Sequence, residues 1–395
     1  MTNNVCIAPW IHLHTWPNNN VYPCCLTAME DTVGNLNDNT LAEIWNNEAM
    51  KKLRTQFLNN EQPESCKRCF INEKHGGTSL RKHMNETFDR HMHLLDKTNP
   101  DGTLDELSIH YWDFRFSNIC NMRCRSCGPQ LSTGWYEDQK KLWGQLPNDL
   151  PDPGKNINMW QQIEPLFDKV EDIYFAGGEP LLMEEHYRIL NKLDEMQKYD
   201  TIIRYNTNFS QMKYKKLDVL EIWPKFDRVV VGASIDGFGE RAEYIRKGTD
   251  WNKIVTNREK MKQQAPGVEF FVNFTASVQN AYHIVDFYEW AMEAKFIENA
   301  GDFHINIVQH PEHLSLQILP DYMKKELTEK YEAIAEKSKA WGNERYSHWL
   351  SLAKYMNDAD TSHLIPEFKK NIEMVDRIRN EDFATTFPEL QDLVK

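Results

Sequence analysis

The stretch Ser117-Asn-Ile-Cys-Asn-Met-Arg-Cys-Arg-Ser-Cys127 gathers three of the eight cysteines, Cys120, Cys124 and Cys127, at spacing C-x3-C-x2-C. It follows a β-rich run, residues 107–116, so the three thiols share one short loop at a strand end. Four soft thiolates close a zinc or iron–sulfur centre, whereas three from one loop leave a metal position open to a ligand that is not protein. Two plainer readings compete: a disulfide with a spare thiol, and half of a structural zinc site. Disulfides need an oxidising compartment, and Met1-Thr-Asn-Asn-Val-Cys6 has neither the basic nor the apolar region of a signal peptide. The metal reading therefore leads.

The 395 residues suffice for one large α/β domain with a smaller attachment. Apolar residues make up 41% and aromatics 12%, as in a globular enzyme, and no apolar run approaches a membrane span. The expectation is a soluble, cytoplasmic protein without a membrane partner. A net charge of −13 argues against a broad phosphate-binding face, so nucleic acid is not the expected partner.

The other five cysteines, Cys6, Cys24, Cys25, Cys66 and Cys69, all fall in the first 70 residues. Cys6-Ile-Ala-Pro-Trp10 opens this segment, Val21-Tyr-Pro-Cys-Cys25 follows the turn-prone Pro17-Asn-Asn-Asn20, and Cys66-Lys-Arg-Cys69 closes it. Leu41, Ile44, Trp45, Met50 and Leu53 recur near helical spacing between them. Metal binding can replace the apolar burial that so loop-rich a segment lacks. A tetrahedral zinc knuckle suits these cysteines too, because C-x2-C pairs serve zinc equally well. His12 and His14 read as one face of a half-buried strand. A connector follows, broken at Gly76-Gly77, with a charged helix over 79–97 and a turn at Asn99-Pro-Asp-Gly102. His91 and His93 lie within that helix, where i and i+2 point apart.

From residue 107 the rhythm changes to strand–helix alternation. Strands are expected at 107–116, 172–176, 201–205, 228–234, 268–276 and 303–308, with helices at 187–196, 213–222, 251–263 and 281–292. Such alternation implies a parallel sheet with right-handed crossovers. Ligand sites collect at the carboxyl ends of such strands, and polar groups fall there six times. The cysteine loop follows the first strand, Gly177-Gly-Glu-Pro180 the second, and Asn206-Thr-Asn208 the third. Ser234-Ile-Asp-Gly237 ends the fourth, Ser277, Gln279 and Asn280 follow the fifth, and Gln309 and His310 the sixth.

On these residues the chain resembles the radical S-adenosylmethionine (SAM) enzymes. The resemblance implies a partial (β/α)6 TIM-type barrel and a [4Fe–4S] cluster on Cys120, Cys124 and Cys127, whose open iron chelates SAM. Reductive cleavage then yields a 5′-deoxyadenosyl radical that abstracts hydrogen from a substrate. Gly177 and Gly178 would let the backbone approach the methionine ammonium group, with Glu179 supplying compensating charge. Ser234 would contact the SAM carboxylate, and Arg246 in Tyr244-Ile-Arg-Lys-Gly248 would pair with it through its two-pronged donor geometry. Asn206, Asn208 and Asp236 are candidates for the ribose hydroxyls or for substrate. Ser126 stands where many members carry an adenine-facing aromatic.

The N-terminal segment resembles the twitch module, a short relative of the SPASM domain, through Cys6-x-Ala-Pro-Trp10, Tyr22-Pro-Cys24, Gly34-Asn-Leu36, Glu43-Ile-Trp45, Leu53-Arg54 and Cys66-x-x-Cys69. By that resemblance Cys6, Cys24, Cys66 and Cys69 would hold an auxiliary [4Fe–4S] cluster, with Cys25 surplus or exchanging roles with Cys24. Such modules more usually follow the barrel. The organisation expected is an auxiliary-cluster module at 1–75, a helical connector at 76–106, the barrel at 107–319 and a helical C-terminal extension at 320–395. A peptide or protein substrate and an electron donor such as flavodoxin or ferredoxin are the implied partners. A small carbohydrate or nucleotide metabolite is the alternative substrate, and a non-catalytic metal–sulfur scaffold the alternative function. No acid or base is assigned.

Overall fold

The computed structural model describes residues 4–74, 79–151 and 159–395. The Gly76-Gly77 break and Met1, Thr2 and Asn3 lie outside the described residues. Among these, the strands in chain order are β1 (His12–Thr15), β2 (Asn20–Tyr22), β3 (Gly34–Asn35), β4 (Tyr111–Phe114), β5 (Arg123–Cys124) and β6 (Asp172–Phe175). They continue as β7 (Ile202–Thr207), β8 (Lys213–Tyr214), β9 (Leu217–Asp218), β10 (Val229–Ala233), β11 (Arg246–Lys247), β12 (Glu269–Ala276) and β13 (Phe303–Ile307). All six strands expected from the alternation are present. The 213–222 stretch differs: it opens as the β8–β9 hairpin, with only Val219–Ile222 helical. Lys215 at φ 54° turns the hairpin, and Asp218 caps the short helix by accepting from the Leu220 amide at 3.0 Å.

The chain forms two compact units. One comprises Met1–Asn118, Pro151–Gly177 and Arg188–Arg204; the other comprises Ile119–Leu150, Gly178–Tyr187 and Tyr205–Lys395. In the first unit β6 and β4 are parallel neighbours, and β1 joins β4 in parallel, pairing His12 with Tyr111 through Thr15 with Phe114. Strands β2 and β3 extend this edge as antiparallel hairpins. The cysteine-rich N-terminal segment is therefore stitched into a sheet instead of standing on its metal ligands alone. Leu13, Trp112 and Ile173 are buried along these strands, and Thr40 with Glu43 forms a capping box that starts the helix Leu41–Trp45.

In the second unit β10, β12 and β13 run parallel in that order, Val230 pairing with Glu269 and Val272 with Phe303. Val231, Ala233, Val272 and Phe274 are fully buried, each large apolar side chain contributing about 1.5–3 kcal/mol. The helices Asp321–Ala340, Ser347–Asn357 and Ile365–Arg379 follow, as their charge-mixed helical spacing predicts. The chain is thus mixed α/β with a parallel sheet, the coarse form of the expected architecture. No helix among the described residues is long and apolar enough to cross a membrane.

Candidate metal centres and the strand-end site

The loop carrying Cys120, Cys124 and Cys127 is fixed from both flanks by backbone bonds. Arg123 and Cys124 form β5, paired antiparallel with β11 so that Cys124 faces Arg246 and Arg123 faces Lys247. The Cys127 amide donates to the Cys124 carbonyl at 3.0 Å, and the Trp135 indole donates to that carbonyl at 2.9 Å. The Cys120 amide donates to Thr133 Oγ1 at 3.2 Å. Gly248, at φ +104°, sits so close that a Cβ there would lie 2.7 Å from the Asn121 carbonyl oxygen, so only glycine closes this turn.

Around the loop, the sequence-predicted residues take distinct places. Arg246 is held by Asp236, Nε to Oδ2 at 2.7 Å, and directs Nη1 at Cys124 Sγ, 3.7 Å away. Asp236, read from the sequence as a ribose or substrate ligand, has both oxygens engaged: Oδ1 accepts from the Thr275 amide at 2.8 Å. Its direct part is to orient Arg246. Glu179 is likewise committed. It accepts from the Leu181 amide (3.0 Å), Thr207 Oγ1 (2.6 Å) and the Asn208 amide (2.6 Å), while burial pushes its carboxyl up to about 7. Gly177 and Gly178 adopt φ of +77° and +49°, so the Gly-Gly-Glu loop needs its glycines.

Asn208 donates to Asn121 Oδ1 at 2.8 Å and approaches Cys120 Sγ at 3.9 Å, while its Oδ1 accepts from Ser210. Asn206 is half-buried on β7, and Ser234 donates its amide to the Thr207 carbonyl just after β10. Arg246, Asp236, Glu179 and Asn208 thus converge on the cysteine loop within one unit. Ser277 and Asn280 cap each other and brace the Asp236 turn, Asn280 Nδ2 reaching the Asp236 carbonyl at 3.3 Å. Gln279 is buried, with its Nε2 given no hydrogen bond.

Sequence reasoning assigned the C-terminal extension no chemistry, yet it grips the cysteine loop. Arg125, whose side chain is 1% exposed, is bonded to Asp376 and to Glu381 (2.7 Å) and lies over the Tyr244 ring at 3.7 Å. Arg379 bonds Asp138 at 2.8 Å and donates to the Arg123 carbonyl at 2.8 Å, while Arg123 itself meets Asp138 at 2.8 Å. Two arginines flanking Cys124 with no acid nearby in sequence were the available signal.

In the other unit, Cys6, Cys24, Cys25, Cys66 and Cys69 line one pocket, together with Arg81, His12 and Tyr111. The repeated residues of the segment frame it. Arg54, fully buried, donates Nε to the Pro9 carbonyl at 2.9 Å and stacks over Trp45 at 4.7 Å, which joins three of the sequence motifs. Arg81 donates to the Val5 carbonyl at 2.8 Å beside Cys6. Leu26 donates its amide to Cys24 Sγ at 3.3 Å, whereas Cys25 is exposed. His12 and His14 are both buried rather than half-buried; His14 Nδ1 meets the buried Asp113 at 2.8 Å.

Both cysteine sets suit multinuclear metal. Burial pushes the Cys6 thiol up to about 12 and Cys66 to about 11, with neighbouring sulfurs adding to the rise, and pushes Cys120 and Cys127 to about 12. Clustered buried thiols that cannot ionise alone become thiolates when a metal supplies positive charge.

Residues 6–70 match the family model for SPASM, an iron–sulfur cluster-binding domain. No curated protein matches the chain. Among solved structures the chain is similar to native anSMEcpe with bound AdoMet, at 18% identity over 57% of this chain and 60% of that one, with a TM-score of 0.40. It is also similar to Streptococcus suis SuiB bound to precursor peptide SuiA, at 15% identity over 67% of this chain and 54% of that one, with a TM-score of 0.40. The matched part thus spans 60% of the first of these structures and 54% of the second. Residues 6–70 are thus similar to SPASM, an iron–sulfur cluster-binding domain.

Proposed function

We propose that the chain is a radical SAM enzyme that modifies a peptide or protein. The observation that carries this reading is the C-x3-C-x2-C loop with its half-buried cysteines beside Arg246, Asp236, Glu179 and Asn208. Cys120, Cys124 and Cys127 would hold a [4Fe–4S] cluster with an open site, Cys6, Cys24, Cys66 and Cys69 an auxiliary one, and a partial (β/α)6 barrel is the scaffold this implies. A cluster held there would supply, with one electron from a flavodoxin- or ferredoxin-type donor, the reductive cleavage of SAM to methionine and a 5′-deoxyadenosyl radical.

The chain's own residues bind and orient. Arg246, its Nε committed to Asp236, keeps donors for a carboxylate and one directed at Cys124 Sγ; hydrogen bonds to cluster sulfurs tune reduction potential. Glu179 ties the loop after β6 to the loop after β7 through three donors, which positions the Gly178 backbone for a ligand's ammonium group. The peptide substrate follows from the SPASM-type module, since modules of that kind accompany peptide modification; a carbohydrate or nucleotide metabolite is the alternative.

The test is anaerobic: protein reconstituted with iron and sulfide receives SAM and dithionite, and 5′-deoxyadenosine is sought by mass spectrometry. Formation by the wild type and its loss in Cys124→Ala is the expected result. Absence of the product from wild-type protein holding about eight irons, two cubane clusters' worth, overturns the radical SAM reading in favour of a metal–sulfur scaffold.

A further inference from the structure

Strands β4 and β6 start side by side, and the residue preceding each carries a metal-binding side chain. His110 precedes β4 and Glu171 precedes β6, and their backbones are locked together: the amides of Glu171 (2.9 Å) and Asp172 (3.2 Å) both donate to the His110 carbonyl. The 3-10 segment Asp89–Leu94 brings in a third, His91, which is buried. Among the described residues these three form the only group of metal-binding side chains whose ligand atoms all lie within 4.8 Å of one another.

We infer that His91, His110 and Glu171 form a mononuclear site for a zinc-like divalent cation. Glu171 Oε1 lies 2.9 Å from His91 Nε2 and 3.1 Å from His110 Nδ1. Ligands bonded to zinc at about 2.0–2.2 Å stand roughly 3.3 Å apart in a tetrahedron, so these two separations need to grow by only a few tenths of an ångström. Hydrogen bonding alone leaves the group incompletely satisfied. His110 Nδ1 is buried and near Oε1 yet makes no hydrogen bond of normal geometry, and a cation between the three atoms would satisfy it.

The outer contacts are those of a metal site. Arg90 bonds the second carboxylate oxygen, Oε2, leaving Oε1 to the two imidazoles. Ser108 Oγ lies 3.3 Å from His110 Nε2, fixing the other ring nitrogen. His110 and Glu171 also line an open cleft of about 520 Å³ with Lys198 and Asp200, through which an ion and a water ligand have access. The donor set of two nitrogens and one oxygen suits zinc better than magnesium or calcium. Its consequence is structural: the ion would pin the Asp89–Leu94 segment to two strand starts.

The experiment adds equimolar Zn²⁺ to the iron-reconstituted full chain, desalts it, and reads retained zinc by mass spectrometry and its coordination by zinc-edge X-ray absorption. One zinc per chain is expected, with a nitrogen/oxygen shell at about 2.0–2.1 Å and no sulfur shell near 2.3 Å. Retention should fall at least tenfold in His110→Ala and in Glu171→Gln. The decisive loss is that in a variant keeping wild-type iron content, which shows the fold intact; Glu171→Gln, the nearly isosteric change, keeps the test alive if His110→Ala fails to fold. A wild type that retains no zinc, a sulfur shell, or unchanged retention in both variants overturns the site. None of these readouts depends on SAM cleavage, so they stand apart from the radical reading.

Discussion

At the scale of single residues, the site depends on how each charge is committed. The motif singles out Arg246 as a carboxylate partner and Asp236 as a candidate for ribose or substrate, but a strand-end aspartate looks alike in sequence whether it meets solvent, ligand or arginine. Only the fold shows the Thr275 amide and Arg246 sharing its two oxygens. Removing one partner of a buried ion pair costs about 3–5 kcal/mol, because the other charge is stranded. Asp236→Asn should therefore lower the melting temperature and, by freeing Arg246, raise the KM for SAM about tenfold, ~1.4 kcal/mol, while iron content stays at the wild-type level. An unchanged KM would assign Asp236 to stability alone.

His283 gives a second residue-scale prediction. It is 4% exposed, accepts the Phe238 amide at Nε2 (3.2 Å), stacks on Phe238, and burial holds its imidazole down to about 4 from 6.5. Arg241 and Lys330 oppose its protonation and Asp286 favours it. Between those values the unfolded chain binds the extra proton and the folded chain does not. The contribution is complete above about pH 6.5 and lost as pH falls toward 4, about 3 kcal/mol in all. Denaturant melts across this window should show a shallower pH slope for His283→Gln than for wild type; equal slopes would place the acid sensitivity elsewhere.

At the scale of elements, period and punctuation carried far: all six strands and the main helices sit where alternation predicts them. The failures have local causes. The 213–222 stretch has helical spacing, but a left-handed Lys215 and a capping Asp218 turn its first half into a hairpin. The C-terminal extension is expected from the sequence to pack on the barrel or over its open side, but its charges read as solvated faces, because charge–charge pairing over 250 residues leaves no trace in a local pattern; Asp376 of the helix Ile365–Arg379 meets Arg125. That contact makes the helix part of the cluster loop's support. Asp376→Asn removes one of the two carboxylates facing a guanidinium that is almost wholly buried, Glu381 being the other, and also weakens the Tyr244 hydroxyl bond of 2.6 Å and the Phe383 amide bond of 2.8 Å. It should destabilise the protein by about 3 kcal/mol with little rescue by salt, and slow filling of the Cys120/Cys124/Cys127 site while sparing the auxiliary one. Stability and iron uptake equal to wild type would reduce the helix to a surface element.

At the scale of the whole molecule, the eight cysteines divide into a loop of three and a pocket of five, and only the division was readable from spacing. Which of the adjacent Cys24 and Cys25 serves the auxiliary cluster was not, because neighbouring residues share every sequence context. The folded segment distinguishes them. Cys24 Sγ accepts the Leu26 amide, the kind of bond that supports a ligating sulfur, while Cys25 is exposed and its thiol is pushed up chiefly by its hydrogen bond to Cys24. With two filled clusters, the wild type should carry about eight irons per chain, and Cys25→Ala should keep them. Cys24→Ala and Cys66→Ala should each hold about four, cleave SAM, and lose substrate turnover, because the remaining cluster is the one on Cys120, Cys124 and Cys127. Iron analysis of the three variants decides the matter: if Cys25→Ala drops to half while Cys24→Ala stays full, the ligand is Cys25, and the exposed thiol would then be Cys24.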